Sequence, residues 1–238
     1  MKFLYLSIRK VLQLLYLSKY NKNIGEAYET IGNDYGFMIL PKHLINENSS
    51  ILSFGVGEDI EAEIDLIKQY NCTVQLYDPT DISIQYIDKV KQELLIKNEQ
   101  RIADKIIFNA AALWKEVGTV KFFKPKEANF VSHSINNIDA TDNFVEVPAE
   151  TIKSIMQKLH LEAVDYIKMD IEGAEYEVLE NMLADKINFK AIYLEYHYNR
   201  NHSVFQDIRN IRHSLDSLSN LGYKVIYCSR FRYYCLVK

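Results

Sequence analysis

The sequence predicts an α/β protein with a Rossmann-like, mostly parallel seven-stranded sheet, helices on both faces and an antiparallel hairpin at the C-terminal end. Three observations predict this fold class. Apolar stretches of strand length alternate with stretches of helical periodicity from residue 51 to residue 221, which is the pattern of a parallel sheet wrapped by helices. Two glycines, Gly55 and Gly57, directly follow the first strand. The segment 224–238 is predicted to form two strands joined by a polar turn near Arg230, so the last strand would enter the sheet antiparallel.

Each element is predicted from its apolar periodicity, which differs between strands and helices. The predicted strands cover residues 51–54, 73–77, 105–108, 164–169 and 191–196. The predicted helices cover residues 60–70, 81–98, 149–159, 173–183 and 203–221, and residues 117–123 are predicted to add a β-ribbon. No Pro/Gly-rich linker interrupts this series. We therefore expect residues 31–238 to form one domain, preceded by a helical segment at residues 1–30.

Residues 3–17 are predicted to form an amphipathic helix. Its apolar side carries Leu4, Ile8, Val11, Leu12 and Leu15, and Arg9, Lys10 and Gln13 lie opposite. Charges interrupt the apolar run well short of the ~20 residues that a membrane-spanning helix needs, and no small-residue cleavage site of a signal peptide follows. We expect the apolar side to pack on the chain's own domain or to mediate dimerisation. Peripheral contact with a membrane surface is the alternative.

The composition is that of a globular protein whose ligand is not a nucleic acid. Of the 238 residues, 48% are hydrophobic and 25% are charged, which is sufficient for a sizeable core. The net charge of −4 argues against a dedicated nucleic-acid-binding role. The three cysteines form no CxxC pair and are odd in number, so no disulfide framework is predicted. A reducing cytoplasm is the expected compartment.

The first strand leads into a candidate ligand-binding turn. Gly55 and Gly57 let the backbone approach a ligand closely. Asp78 ends the second strand about twenty residues later, where an acid can accept hydrogen bonds from both hydroxyls of a ribose. Ile60 stands where a dinucleotide-binding fingerprint has its third glycine, which weakens the case for a pyrophosphate-bearing ligand. Glu58 would repel a pyrophosphate and attract an ammonium group.

The segment from residue 164 to residue 179 is the most informative part of the chain. A predicted strand ends at Met169, and three acids follow it, Asp170, Glu172 and Glu175, around a turn at Gly173. In open α/β sheets, ligands bind outside the carboxyl ends of the strands. Three acids at such an end are hard to explain by packing alone. The alternative for Asp170 and Glu175 is that they are surface acids of the kind that is common at helix starts.

A second acidic motif, Glu195-Tyr-His197, ends the next strand. Side chains two residues apart share one face of a strand, so Glu195 and His197 can point together. His197 is the candidate general base, oriented by Glu195 or Asp170. The alternative is a histidine that only satisfies a neighbouring carboxylate. Asp170, Glu172, Glu195 and His197 are also weak candidate ligands for Mg²⁺ or Mn²⁺, although their spacing is not a metal-binding signature.

These motifs resemble those of the FkbM family of S-adenosylmethionine-dependent methyltransferases. Residues 168–175 are similar to the family's K-x-D-x-E-G-x-E signature, residues 54–59 and 77–80 to its first two motifs, and residues 195–197 to its acid-x-His motif. The resemblance extends from about residue 31 to the C-terminus. It implies a class I methyltransferase fold and S-adenosylmethionine as cofactor. The implied cofactor contacts are Gly55, Gly57, Glu58, Asp78, Asn109, Ala110 and Asp170, and the implied catalytic residues are Asp170, Glu172, Glu195 and His197.

The resemblance also implies a reaction class. The expected reaction is O-methylation of a hydroxyl on a sugar, a glycan precursor or a small metabolite, because many relatives accompany surface-polysaccharide biosynthesis. Residues Ser132, His133 and Ser134 resemble a Ser-rich patch of the family and are expected to line the pocket, although a loop residue without a role is the simpler interpretation of His133. Two rival functions stay open: an NAD-linked or sugar-nucleotide enzyme, and a non-catalytic binding protein on a methyltransferase scaffold. Ile60 argues against the first rival, and the acids at both strand ends argue against the second.

Overall fold

The structure, a computed structural model, describes residues 2–34, 36–123, 134–136, 142–198 and 202–238, with side chains from residue 8 onward. The α-helices are α1 (Lys2–Leu17), α2 (Glu61–Tyr70), α3 (Asp81–Ile96), α4 (Gln100–Ala103), α5 (Ile152–Lys158), α6 (Glu175–Ala184) and α7 (Val204–Asn220). The β-strands are β1 (Tyr28–Gly32), β2 (Phe37–Pro41), β3 (Ser50–Phe54), β4 (Thr73–Tyr77), β5 (Ile106–Asn109), β6 (Ala112–Leu113), β7 (Gly118–Phe123), β8 (Phe144–Glu150), β9 (Val164–Met169), β10 (Phe189–Glu195), β11 (Lys224–Ser229) and β12 (Tyr233–Val237).

Seven strands form the central sheet, in the order β11-β12-β10-β9-β3-β4-β5. Neighbouring strands from β10 to β5 are parallel, whereas β12 is antiparallel to both β10 and β11. The predicted fold class, including the antiparallel entry of the last strand, is confirmed. The chain builds one half of the sheet from β3 through β4 to β5, and the other half from β9 onward. The winding therefore reverses between β3 and β9, which is where ligands bind in open α/β sheets.

The predicted elements of the central sheet and its helices agree with the observed ones to within three residues at each boundary. The largest difference is the helix predicted from residue 149, which begins at Ile152. Thr151 sets this start, because its side chain accepts the Ser154 N–H at 3.0 Å while the Ser154 hydroxyl accepts the Thr151 N–H at 2.9 Å. This reciprocal pair is a capping box, and the residues before it belong to β8.

Two small sheets were not predicted. β1 and β2 form an antiparallel hairpin, and β8 lies between β6 and β7 in a three-stranded sheet. The predicted ribbon at residues 117–123 is β7. Its partner β8 escaped prediction because Glu146, Pro148 and Glu150 interrupt the apolar pattern, and only two of its seven residues are buried.

The core has two layers, one on each face of the central sheet. α5, α6, α7 and the end of α1 cover one face, around Phe54 and Ile167. α2, α3, α4 and the β1–β2 hairpin cover the other face, around Tyr166 and Tyr193. Successive strand residues alternate between the two layers, which places Lys168 on the α2 side together with Tyr166. The three cysteines, all within the described part of the chain, are buried and unpaired.

α1 packs against α7 through a side that includes Leu12 of the predicted packing side but is otherwise different from it. Gln13 is 6% exposed and donates to the Tyr198 hydroxyl at 2.7 Å, and the Arg9 guanidinium lies 3.7 Å from the centre of the Tyr198 ring. Leu17 is fully buried. Of the predicted packing side, Ile8, Val11 and Leu15 are exposed, whereas Leu12 is half-buried against the core. The expectation that the predicted side packs on the chain's own domain is therefore wrong for Ile8, Val11 and Leu15, because Tyr198 offers a hydroxyl to Gln13 and a ring face to Arg9.

Candidate functional site

A cavity of about 260 Å³ lies at the carboxyl ends of β3, β4, β9 and β10. Seven of the ten predicted site residues line it, namely Gly55, Gly57, Glu58, Asp78, Asp170, Glu172 and Glu195. Side chains that were not predicted also line it, among them Phe37, Lys168, Tyr193 and Tyr233. The cavity therefore joins the candidate cofactor site at the β3–β4 end to the candidate chemical site at the β9–β10 end.

Gly55 allows β3 and β9 to approach closely. Its φ is +82°, and a Cβ at this position would lie 1.8 Å from the carbonyl oxygen of Asp170. Its carbonyl oxygen accepts a hydrogen bond from Lys168 Nζ at 3.1 Å. Gly57 also has a left-handed φ of +55°, but a Cβ there would meet no atom within 4 Å. Glycine is thus favoured at residue 55 by both space and conformation, and at residue 57 by conformation alone.

Asp78 organises the glycine turn. Its Oδ2 accepts the N–H groups of Val56 and Gly57 at 3.0 and 3.2 Å. Its Oδ1 accepts the N–H and the hydroxyl of Thr80 at 2.9 and 2.7 Å. A carboxylate offers about four lone-pair positions, so the chain itself supplies a donor for each of them. Asp78 still lines the cavity, where the hydroxyls of a ribose would share or replace these donors.

The end of β5 contributes less to the cavity than the sequence suggested. The Asn109 side-chain nitrogen donates to the Leu76 carbonyl at 3.2 Å, and neither Asn109 nor Ala110 lines the cavity. Ala112 and Leu113 of β6 form the nearby wall instead. The predicted cofactor contacts of Asn109 and Ala110 therefore stay predictions.

The turn after β9 has an unusual backbone that a buried acid supports. Glu172 has a φ of +52° and Gly173 a φ of +97°, and the left-handed conformation costs a non-glycine residue about 1–2 kcal/mol. Glu175 is fully buried, and its Oε1 accepts the N–H groups of Ile171 and Gly173 at 3.2 and 3.1 Å. Glu175 is therefore not a surface acid, which was the alternative considered from the sequence, but a support of the turn.

A second segment supports the same turn from outside. The Ser134 hydroxyl donates to the Glu172 carbonyl at 2.6 Å, and the Asn136 side-chain nitrogen donates to the Gly173 carbonyl at 2.6 Å. Ile135, between them, lines the cavity. Of the predicted Ser-rich patch, only Ser134 is described, and residues 132 and 133 lie outside the described residues.

His197 lies among four carboxylates. Its Nδ1 is 2.9 Å from Glu175 Oε1. Its Nε2 is 3.4 Å from a carboxylate oxygen of Glu172 and 3.7 Å from one each of Asp170 and Glu195. The structure thus brings the predicted catalytic residues together. The carboxylate at hydrogen-bond distance from the ring is that of Glu175, however, and not that of Glu195 or Asp170, which we predicted.

These carboxylates decide the charge of the imidazole. Burial lowers the pKa of His197, but Glu175, Glu172 and Asp170 outweigh burial and raise it to about 10. Burial and the neighbouring Asp170 raise the pKa of Glu195 to about 7, against the lowering effect of His197. His197 is therefore a cation near neutral pH, and Glu195 is the group that titrates there.

Arg232 adds a cation that the sequence analysis missed. Its Nη2 forms an ion pair with Glu195 Oε1 and lies 2.7 Å from His197 Nε2. A hydrogen bond to Nε2 requires a lone pair there, and so a neutral imidazole, which disagrees with the raised pKa of His197. We favour the imidazolium, because four carboxylates surround the ring and Arg232 keeps Glu195 as a partner in either state.

The tight turn of the last hairpin positions Arg232. Arg230 and Phe231 both have a φ of +52°, and the Arg232 N–H donates to the Ser229 carbonyl at 3.0 Å. Positive φ at both central residues is typical of a type I′ turn, which usually carries Asn or Gly. The Arg232 carbonyl accepts the Tyr196 N–H at 2.9 Å. The sequence predicted this turn, but no pattern in it indicated that the turn reaches the end of β10.

Lys168 lines the cavity and bonds to residues on two neighbouring elements. Its Nζ lies 3.4 Å from Glu63 Oε1 and donates to the Gly55 carbonyl. Glu63 is 2% exposed and accepts a hydrogen bond from the Ser53 hydroxyl at 2.6 Å. Burial lowers the pKa of Lys168, but Glu63 and Asp170 raise it more. Lys168 is therefore charged. From β9, it links Glu63 of α2 and the Gly55 carbonyl that follows β3.

Comparison with known proteins identifies the family. The profile described as "Methyltransferase FkbM domain" matches residues 27–225 of the chain. The chain belongs to the FkbM methyltransferase family. The match begins in front of β1 and ends inside β11, so it includes every predicted site residue and excludes α1. No curated protein matches the chain.

The FkbM fold is also seen in a solved structure. The crystal structure of methyltransferase FkbM from Methylobacillus flagellatus KT is similar to this chain, with a TM-score of 0.50 and 14% sequence identity. The similarity covers 82% of this chain and 44% of that one. The present chain therefore corresponds to less than half of that protein, and the likeness concerns the fold alone.

The weak metal candidates of this FkbM domain form a compact group. One donor atom each from Asp170, Glu172 and His197 lies within 4.8 Å of the others, so these three side chains could hold a metal ion. The fourth candidate, Glu195, is paired with Arg232. A metal ion here would have to displace the proton of the His197 imidazolium and lie beside the Arg232 guanidinium, which is 2.7 Å from Nε2. A metal site therefore stays the minor alternative to a metal-free mechanism that it was from the sequence.

Proposed function

We propose that this FkbM domain is an S-adenosylmethionine-dependent methyltransferase whose acceptor is a hydroxyl of a sugar, a glycan precursor or a similar small metabolite. The observation that carries the proposal is the single cavity lined by the glycine turn of β3 and by the acids that follow β9 and β10. One cavity of this kind can hold a methyl donor against the glycine turn and an acceptor beside the acids.

The glycine turn suits S-adenosylmethionine better than a dinucleotide. Asp78 at the end of β4 offers a carboxylate to the hydroxyls of the ribose. Glu58 lines the cavity and would attract the ammonium of the methionine part. Ile60 is fully buried where a dinucleotide fingerprint has a glycine for close helix packing. When bound, S-adenosylmethionine supplies a methyl group on an electrophilic sulfonium centre.

We propose Glu195, rather than His197, as the general base. A neutral hydroxyl must lose its proton as its oxygen attacks carbon, and an effective base has a pKa near the working pH. The pKa of Glu195 is raised to about 7 by burial and by Asp170. His197, with a pKa raised to about 10, already carries a proton at neutral pH. In this proposal His197 and Arg232 hold the carboxylate of Glu195 in position.

An aromatic wall supports a sugar-like acceptor. Phe37 lines the cavity together with Tyr193 and Tyr233, and its ring centre lies 6.1 and 5.8 Å from theirs. Aromatic rings offer apolar faces on which a sugar ring can pack. The Tyr193 hydroxyl is buried and has no hydrogen-bond partner among the described residues. Because buried hydroxyls are nearly always hydrogen-bonded, we infer that an acceptor hydroxyl is its partner.

Two measurements test the proposal. In calorimetry, S-adenosylmethionine should bind more tightly than NAD⁺ or a uridine-diphosphate sugar. The protein should then transfer labelled methyl groups to members of a panel of sugars and lipid-linked glycan precursors, assayed with and without a chelator. Tighter binding of NAD⁺ or the sugar nucleotide would reject the methyltransferase. Binding of S-adenosylmethionine without transfer to any hydroxyl would favour a non-catalytic binding protein. Loss of transfer with the chelator would favour the metal site.

A single substitution tests whether the Tyr193 hydroxyl contacts the acceptor. Tyr193→Phe removes only the buried hydroxyl, so it should raise the acceptor KM about tenfold, which is the usual scale for one hydrogen bond. The affinity for S-adenosylmethionine should stay unchanged. Tyr227→Phe, on the edge strand β11, is the matched control. A change in cofactor affinity instead of acceptor KM would assign Tyr193 to the donor.

A further inference from the structure

The outward side of α1 is an exposed apolar surface. Ile8, Val11, Leu14 and Leu15 are between 48% and 70% exposed. On the neighbouring helix α7, Phe205 is 40% exposed and lines a shallow depression together with Leu15. We call these five side chains the α1 apolar face. Isolated exposed apolar residues are ordinary, but a group of five on two adjacent helices is typical of an interaction site.

The packing of α1 makes this exposure more informative. A helix on a globular domain normally buries its apolar side and exposes its polar side. α1 has apolar residues on both sides: Leu12, Tyr16 and Leu17 pack on the domain beside the contacts of Gln13 and Arg9 with Tyr198. A second apolar side faces outward. The α1 apolar face is therefore held in position by packing and polar contacts on the other side of the helix.

The charge around this face indicates its partner. The first 25 residues contain five Lys or Arg and no Asp or Glu. The whole chain has a net charge of −4, so the remaining residues together carry −9. Lys10 on α1 and Arg209 and His213 on α7 are exposed. Asp216, the carboxylate that lines the depression, is already paired with Lys19 and Arg212.

We propose that the α1 apolar face binds the surface of an anionic lipid bilayer, with α1 lying in the interfacial plane. Apolar side chains entering the headgroup region beside lysine and arginine are the pattern of interfacial helices, and anionic lipids attract the basic side chains. None of the described helices is long and apolar enough to cross a membrane. A second copy fits less well, because a symmetric contact through α1 would bring two basic segments together.

Vesicle sedimentation of the full chain tests this proposal. The protein should pellet with vesicles containing phosphatidylglycerol and much less with vesicles of phosphatidylcholine alone, and about 0.5 M salt should weaken the binding by screening charge. The double variant Val11→Ser, Leu15→Ser should lower the bound fraction by on the order of tenfold or more. The matched control is Ile96→Ser, which changes an 81% exposed side chain at the end of α3 and should bind like the unmodified protein.

Three results would overturn the proposal. The first is failure of the unmodified protein to bind anionic vesicles. The second is a double variant that folds by circular dichroism and still binds them equally well. The third is a dimer, detected by light scattering, that the double variant dissociates while vesicle binding is absent. This last result would assign the α1 apolar face to a second copy of the chain.

Discussion

The two ends of the cavity hold their carboxylates in opposite ways. At the β3–β4 end, Asp78 receives four hydrogen bonds, two from the backbone of the glycine turn and two from Thr80. At the β9–β10 end, four carboxylates converge on His197, and Arg232 is the further cation that contacts one of them. The first end is matched in donors and acceptors, whereas the second has an excess of negative charge.

This difference indicates that the two ends of the cavity are suited to different tasks. A carboxylate whose oxygens are all paired is fixed in place before a ligand arrives, so the first end is suited to binding. Burial and the neighbouring Asp170 raise the pKa of Glu195 to about 7. The pKa of His197 is lowered by burial, but the carboxylates around the ring outweigh burial and raise it to about 10. The second end is therefore suited to proton transfer. Substitutions at the first end should change affinity, and those at the second end should change rate.

The largest effect is expected from removing charge at the second end. Asp170→Asn keeps the shape of the side chain but removes its negative charge from the cavity. In the unmodified protein, the Asp170 carboxylate raises the pKa of both Glu195 and His197. Turnover should fall by about 10²-fold or more, the usual scale for disturbing general base catalysis. His197→Asn should act similarly by releasing Glu195. Steady-state methyl transfer measures both effects.

Asp165→Asn is the matched control for these variants. Asp165 lies near the start of β9, whereas Asp170 follows the end of that strand. Asp165 pairs there with Lys190 and Ser50. Its loss should affect stability more than turnover. If Asp170→Asn and His197→Asn were both folded and as active as the unmodified protein, the chemistry would lie elsewhere in the cavity.

The next largest effect concerns the first end. Asp78→Ala should weaken S-adenosylmethionine binding by about 1.5–3 kcal/mol, because it removes a charged hydrogen-bond acceptor and also releases the N–H groups of Val56 and Gly57. Calorimetry measures the affinity. Asp81→Ala is the control, since Asp81 is an exposed acid in the first turn of α3 outside the cavity lining. An unchanged affinity in folded Asp78→Ala would show that Asp78 only shapes the turn.

A smaller effect, confined to the pH profile, should identify the base. A base acts in its deprotonated form, so with Glu195 as the base the rate should rise with pH and level off above about pH 7. With His197 as the base, the rise would continue towards pH 10. In Glu195→Gln the levelling near pH 7 should disappear, and the remaining activity should increase with pH as the acceptor ionises by itself.

The protonation of His197 can also be followed through stability. Its pKa in the folded chain is raised above the unfolded value of about 6.5, so its stabilising contribution is complete below that pH and is lost as pH rises towards 10. Chemical denaturation between pH 6.5 and 10 should therefore show a decline in stability that His197→Gln reduces. No such decline would mean that the contact with Arg232 keeps the ring neutral.

The sequence predicted the first end of the cavity better than the second. Gly55, Gly57 and Asp78 lie directly after strands, and their positions follow from where β3 and β4 end. The second end depends on residues brought from distant segments. The tight turn of the last hairpin places Arg232 there. Glu175, at the start of α6, points inward because the left-handed conformation of Glu172 and Gly173 changes the direction of the chain. Periodicity does not encode such contacts.

The prediction of the face by which α1 docks failed for a related reason. Periodicity identified the apolar side of α1 correctly, but it could not show that Tyr198, at the end of the segment after β10, offers a hydroxyl to Gln13 and a ring to Arg9. Those partners lie far away in sequence, and polar contacts of this kind depend on tertiary structure alone. The observed docking leaves the α1 apolar face exposed. The predicted docking would have buried this face against the domain.

The smallest effect tests whether α1 belongs to the second end of the cavity. Gln13→Ala removes the hydrogen bond to Tyr198, which follows His197 in the chain. It should lower the free energy of unfolding by about 1 kcal/mol and leave cofactor affinity and turnover nearly unchanged, because Gln13 does not reach the cavity. Denaturation and steady-state kinetics measure these quantities. Gln206→Ala, which removes an exposed hydrogen bond to Asn210 on α7, is the control. A tenfold loss of turnover in Gln13→Ala would mean that α1 helps to position His197, and the second end would then extend to the N-terminal helix.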